Sequence, residues 1–184
     1  MIEGGVGGAN TGTGLQFEAR CDFLTLLQDI PGYEVRPMVG RAGSGVYFET
    51  KLLARTFQKH QFYNYLEEEG IDWKVMVSKK LLPDDAILVI TRKTLNIVEV
   101  KFQKVAGSVD EKLQTCDFKR KQYMKLVGGL GLSVAYIYVL NRDWFDKPAY
   151  KDVLEYIRSV NCDYCFDFLP LAWLGLPNPD GQKE

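Results

Sequence analysis

The run Ser133–Leu140, Ser-Val-Ala-Tyr-Ile-Tyr-Val-Leu, constrains the fold most. It is nearly continuous in apolar, β-branched and aromatic residues, and Gly131 precedes it. A strand apolar on both alternating faces is one buried on both sides. Two covered sheet faces require helices, so the run predicts a mixed α/β domain with one central sheet.

The remaining periodicities fit that frame. Helical spacing predicts helices over 15–30, 52–69, 110–126 and 148–160. Ser108 is a candidate N-cap for the third, with Asp110 and Glu111 in its first turn. Strands are expected over 73–77, 86–91, 96–102 and 133–140, with a short one within 163–171. Tyr33–Pro37 reads as a short extended piece and 40–45 as a mobile glycine loop. A hairpin turn is expected over 92–95. The 184 residues suit a single domain over 15–176, between a flexible Gly- and Thr-rich arm, 1–14, and a polar tail, 177–184.

Charge bears on partners. Lys and Arg number 23 against 24 Asp and Glu, which argues against coating nucleic acid by charge alone. The four cysteines, Cys21, Cys116, Cys162 and Cys165, are too scattered for a disulfide scaffold and read as reduced. No signal-peptide pattern opens the chain, and no apolar run reaches the length of a membrane span. A cytoplasmic location with no membrane partner is the expectation.

The chemistry concentrates in Pro83-Asp84-Asp85-Ala86-Ile87 and Val98-Glu99-Val100-Lys101-Phe102-Gln103. Period two puts Glu99 and Lys101 on one face of a strand whose Val98, Val100 and Phe102 face the core. Charges in such a strand are costly unless paired or bound to something. The hairpin returns Asp84 to the same edge. Two carboxylates and a lysine there suit a hard divalent cation such as Mg²⁺, which prefers oxygen ligands and keeps several waters. A lysine beside an attacking water can orient it and help its deprotonation.

These residues resemble the PD-(D/E)XK nuclease superfamily, which includes most type II restriction endonucleases. Asp84 matches the aspartate of the first element, and Glu99 and Lys101 match the acid and lysine of the second. The resemblance covers roughly residues 16–140 and implies a restriction-endonuclease-like αβββαβ core. It implies Asp84, Glu99 and the Val100 carbonyl as metal ligands, Lys101 as a catalytic residue, and Glu18 as a further acid from the preceding helix. Mg²⁺ is the implied cofactor, with Mn²⁺ able to substitute. The Pro-Asp-x-Ala-Ile arrangement favours Asp84 over Asp85 as the ligand and leaves Asp85 to cap or face solvent. Gln103 follows the lysine by two, as a glutamine often does in the superfamily.

Residues 101–125 hold seven basic side chains against three acids, the footprint of a local phosphate surface. Lys104, Lys112 and Lys119 are candidate DNA contacts, the last two at a cleft rim; Lys121 and Lys125 fall on the opposite face. In the glycine loop, Arg41 and Ser44 are candidate DNA contacts, Arg41 offering a fork to guanine or phosphate. The loop lacks the Gly-Lys-Ser/Thr of a phosphate-binding loop. His60, the single histidine, reads as a surface or packing residue. Cys162 and Cys165 have no second pair to complete a zinc site and read as packing cysteines. Trp144, Phe145 and Tyr150 read as covering one end of the sheet.

The leading expectation is a Mg²⁺-dependent, sequence-specific type II restriction endonuclease acting on double-stranded DNA, as a homodimer or with a partner subunit. The alternatives are a structure-specific or partner-dependent nuclease (a junction resolvase, a repair nuclease or a catalytic small subunit) and a non-catalytic DNA-binding module on the same fold.

Overall fold

The computed structural model describes residues 14–17, 22–104 and 109–179. The chain order is β1 (Gly14–Gln16), α1 (Phe23–Gln28), β2 (Tyr33–Pro37), β3 (Ser44–Phe48), β4 (Lys51–Phe57), α2 (Gln61–Glu68), α3 (Trp73–Met76), β5 (Asp85–Val89) and β6 (Thr94–Lys101). Then come α4 (Val109–Leu113), α5 (Cys116–Val127), β7 (Ser133–Leu140), α6 (Arg142–Phe145), α7 (Lys151–Ser159), β8 (Asp163–Phe166), β9 (Phe168–Pro170) and α8 (Leu171–Leu174).

The architecture is a mixed α/β domain around a seven-stranded sheet ordered β2-β3-β4-β5-β6-β7-β8. From β2 to β6 each neighbour is antiparallel. From β6 through β7 to β8 the strands are parallel. Parallel neighbours need a crossover, and α4 and α5 supply it between β6 and β7. Expected strand β7 matches Ser133–Leu140 and pairs on both sides. Val134, Tyr136, Tyr138 and Leu140 join one core with Phe62, Leu66, Tyr123, Leu126 and Ile157. Ile137 and Val139 join the other, with Phe23, Leu27, Leu169, Leu171 and Leu174. The sheet is thus covered on both faces, by α2, α5 and α7 on one and by α1, α8 and the β1–β9 ribbon on the other.

Several elements differ from expectation. Residues 14–16 form a strand against β9, and the first helix of the described residues is Phe23–Gln28, N-capped by Asp22. The span 52–69 is a strand and then a helix. β4 sits inside the sheet between β3 and β5, so both its faces are buried and it shows no alternation. The turn before it uses Glu49 and Thr50 at φ 47° and 74°, without the glycine or asparagine that usually marks a hairpin. Within 73–77, Trp73–Met76 form a four-residue helix, α3, capped by Asp72, whose carboxylate accepts from Lys74 N. The helix over 110–126 breaks between α4 and α5. The span 163–171 divides at Asp167 (φ 56°) into β8 and β9, which belong to different sheets. Of the glycine loop, Ser44 and Gly45 lie on β3. Ser108, Cys21 and most of the terminal arm and tail lie outside the described residues.

Gly43 closes the β2–β3 hairpin at φ 76°, and a Cβ there would lie 2.1 Å from the Thr56 carbonyl oxygen. Gly43→Val adds strain at positive φ to a clash with backbone, and is expected to cost at least about 2 kcal/mol. Urea unfolding of the two proteins checks it; equal midpoints would contradict it.

Candidate active site

The site grows from the alternation of two neighbouring strands. β5 and β6 pair with Asp85 opposite Val98 and Ala86 opposite Ile97. Period two then sends Ile97, Glu99 and Lys101 to the sheet face that carries α5. Asp84, just before β5, reaches the same group: Lys101 Nζ lies 3.0 Å from Asp84 Oδ2 and 3.1 Å from Glu99 Oε2. One ammonium therefore joins both acids. The register with β5 ends at Asp85, so Glu99, Val100 and Lys101 run on beside β7.

Glu99 is the deepest member, its side chain 5% exposed against 19% for Lys101 and 49% for Asp84. A buried carboxylate needs partners, and three elements supply them. Lys101 comes from its own strand. Lys119 of α5 donates to both oxygens, at 2.8 Å to Oε1 and 3.0 Å to Oε2. Tyr136 of β7 donates its hydroxyl to Oε1. Burial alone pushes the Glu99 carboxyl up, but Lys101, Lys119 and Tyr136 outweigh it and hold it below the usual glutamate range. Burial likewise lowers Lys101, and Glu99 and Asp84 outweigh it, so the lysine is held above its ordinary value. The Tyr136 hydroxyl is pushed well up by its burial and by the Glu99 charge, which keeps it a donor. The cluster thus sets two carboxylates against two ammonium groups.

Asp85 corrects an expectation. It neither caps a helix nor faces solvent: it is 8% exposed. The reason is the alternation itself, which places it with Ile87 and Val89 on the face opposite the cluster. There Gln58 Nε2 donates to Asp85 Oδ1 at 3.1 Å and to Asp22 Oδ1 at 2.9 Å. Burial, with the charges of Asp22 and Asp84 adding to it, pushes the Asp85 carboxyl up to about 6, against the opposing hydrogen bond from Gln58.

The other predicted residues divide. Lys119, expected at a cleft rim, is turned inward onto Glu99. Lys104 and Lys112 are exposed, and the Lys112 carbonyl accepts from the Tyr138 hydroxyl. Gln103 lies beyond the end of β6, where its backbone exchanges hydrogen bonds with the Asn141 amide. The Arg41 side chain runs to Glu68 and Glu69, at 3.9 and 3.8 Å. Ser44 sits on β3, its carbonyl accepting from the Thr56 hydroxyl. Val100 packs against the opposite core. Glu18 lies outside the described residues. His60 is exposed at the start of α2. Cys162 and Cys165 pack into different cores on either side of the sheet, so they form no joint site. Phe145 and Tyr150 are buried against the core, as expected of a covered sheet end.

Sequence reasoning missed Tyr136 and Gln58. The signal for the first was present: Tyr136 and Tyr138 are phenols in an otherwise apolar buried strand, where each hydroxyl requires a partner.

No protein-family model, curated protein or solved structure matches this chain.

The two buried acids have opposite effects on stability. An unfolded aspartate titrates at about 3.9, below the Asp85 value of about 6. The folded state therefore binds that proton more tightly, and stability falls as pH rises between the two values. The gap of roughly two units corresponds to about 3 kcal/mol. Asp85→Asn is expected to stabilise the protein by about 1–3 kcal/mol near neutral pH and to flatten its profile between about pH 4 and 6. Urea unfolding across that range measures both effects; a neutral-pH loss of stability would contradict the assignment. Glu99 contributes with the other sign: its stabilisation is present above the ordinary glutamate value and is lost as pH falls through its lowered one.

Proposed function

We propose that this chain is a divalent-metal-dependent deoxyribonuclease of the PD-(D/E)XK kind, in its most specific form a type II restriction endonuclease. The observation that carries the reading is the convergence of Asp84 and Glu99 on the Lys101 ammonium, within 3.1 Å, at the C-terminal end of β6. Further support comes from order: β4, β5 and β6 are antiparallel neighbours, with α2 and α3 inserted between β4 and β5, and they are followed by α5 and by the parallel, buried β7, while α1 and the β2–β3 hairpin precede them.

The donor set fits a hard cation. Both acids hold carboxylate oxygens close together at one edge of the sheet, each within 3.1 Å of the Lys101 ammonium. Among the described residues no third Asp, Glu, His or Cys joins them. Two carboxylates suit Mg²⁺, which keeps waters and takes substrate oxygens to fill its shell. Asp84, Glu99 and the Val100 carbonyl would hold it. When bound, such a cation supplies charge neutralisation at the phosphate and a more acidic water.

The chain's own groups have distinct tasks in this reaction. Lys101 donates hydrogen bonds toward the attacking water and so fixes its approach to phosphorus. Glu99, kept ionised by its partners, is a fixed negative anchor that needs no reorganisation. Asp84, the most exposed of the three, marks the side from which the phosphate arrives. The exposed Lys104 and Lys112 offer backbone contacts to DNA. One such site cuts one strand, so a double-strand break calls for a symmetric dimer or a partner subunit.

Unmethylated phage DNA with Mg²⁺ is expected to give discrete fragments, none with EDTA, and none with Lys101→Ala or Glu99→Gln. Lys101→Ala is expected to lose at least about a hundredfold in rate while retaining DNA binding. A smear would indicate a nuclease without sequence choice. Wild-type rates from the Lys101 variant would remove that lysine from the reaction. DNA binding without any Mg²⁺-dependent cutting, on linear or branched substrates, would favour the binding-module reading.

A further inference from the structure

Lys119 holds the oxygens that a cation would need. Its ammonium contacts both oxygens of Glu99, at 2.8 and 3.0 Å, whereas Lys101 contacts one of them and shares itself with Asp84. With Tyr136 on Oε1, every Glu99 oxygen has at least two donors. The cluster is also balanced, since Asp84 and Glu99 are matched by Lys101 and Lys119. A divalent charge added to that set would be repelled by two ammonium groups at close range. One of them has to leave, and the geometry distinguishes them. Lys101 is fixed on the same strand as Glu99 and joins it to Asp84. Lys119 reaches in from α5 on a flexible four-carbon stem, and its side chain is 24% exposed. Releasing it breaks one ion pair and leaves Tyr136 and Lys101 on the carboxylate.

We propose that Lys119 is a resident counter-ion of Glu99 that competes with the divalent cation and sets how much cation the site requires. The inference rests on the metal-dependent reading above. It makes Lys119 a positioning residue: in the cation-free protein it keeps the buried carboxylate compensated, and it yields those oxygens on loading.

The test is Mn²⁺ binding by the full chain, followed by titration calorimetry without DNA. Wild type is expected to bind at a site that Glu99→Gln removes. Lys119→Gln, which keeps length and loses charge, is expected to bind about tenfold more tightly or better. Lys119→Arg keeps the charge and is expected to stay near wild type. Equal or weaker binding by Lys119→Gln would overturn the proposal, as would equal tightening by Lys119→Arg, which would remove charge as the cause. Glu99-dependent binding by none of the proteins would overturn the metal-dependent reading itself, and the competition with it. A second measurement uses the unaltered chain. Amine acetylation read by mass spectrometry is expected to rise at Lys119, relative to the exposed Lys121, when Mn²⁺ is added. Unchanged or reduced labelling of Lys119 would overturn the displacement.

Discussion

The structure is organised around the compensation of one buried carboxylate. Glu99 is buried within the sheet, where an unpaired charge would cost several kcal/mol. Its three partners come from β6, α5 and β7. Each imposes a geometric condition. Tyr136 reaches Glu99 only if β6 and β7 keep the register in which Ile97 faces Tyr136. Lys119 reaches it only if α5 lies across those two strands at the right rotation, with Tyr123 and Leu126 in the core. One charge thus ties the sheet register to the docking of its crossover helix. A one-residue slip of β6 would send Glu99 to the opposite face, among Ile87, Val89 and Val139.

The same alternation divides the labour of two adjacent aspartates. Asp84 and Asp85 are neighbours in sequence and stand on opposite sides of the sheet. Asp84 meets Lys101 on the α5 side and remains half in water. Asp85 is drawn into the other core beside Ile87, with Gln58 linking it to Asp22 at the start of α1. Its raised value reflects burial without a cationic partner, the reverse of Glu99, whose cationic partners dominate. Two buried acids on adjacent strands therefore respond to pH in opposite senses because one faces ammonium groups and the other an amide.

Much of the site was legible because its signal is local. A Glu-x-Lys pair in a β-rich run, an acid at the preceding strand and an apolar strand after a helix are all short-range patterns, and period two suffices to group Glu99 with Lys101. What escaped depended on distant contacts. β4 resembles part of a helix because its neighbours bury both faces, and its turn uses Glu49 and Thr50 in place of glycine. The strand character of residues 14–16 arises from pairing with β9, more than 150 positions away. Lys119 was legible as basic and near the stripe of α5 that faces the sheet. That it points inward depends on the depth of Glu99, which no spacing on α5 encodes.

The exposure gradient across the cluster gives the site a direction. Asp84 is half exposed, Lys101 and Lys119 are mostly covered, and Glu99 is nearly sealed. A ligand approaching from the Asp84 side would meet the lysines before Glu99. Electrostatic interactions strengthen along that path as water is excluded. Lys101 is kept charged by Glu99 beneath it and by Asp84 on its solvent side. A cation is drawn to Glu99 and must contend with the ammonium groups in front. The ordering that compensates the buried carboxylate during folding is thus also the order in which the site's charges become available to a ligand.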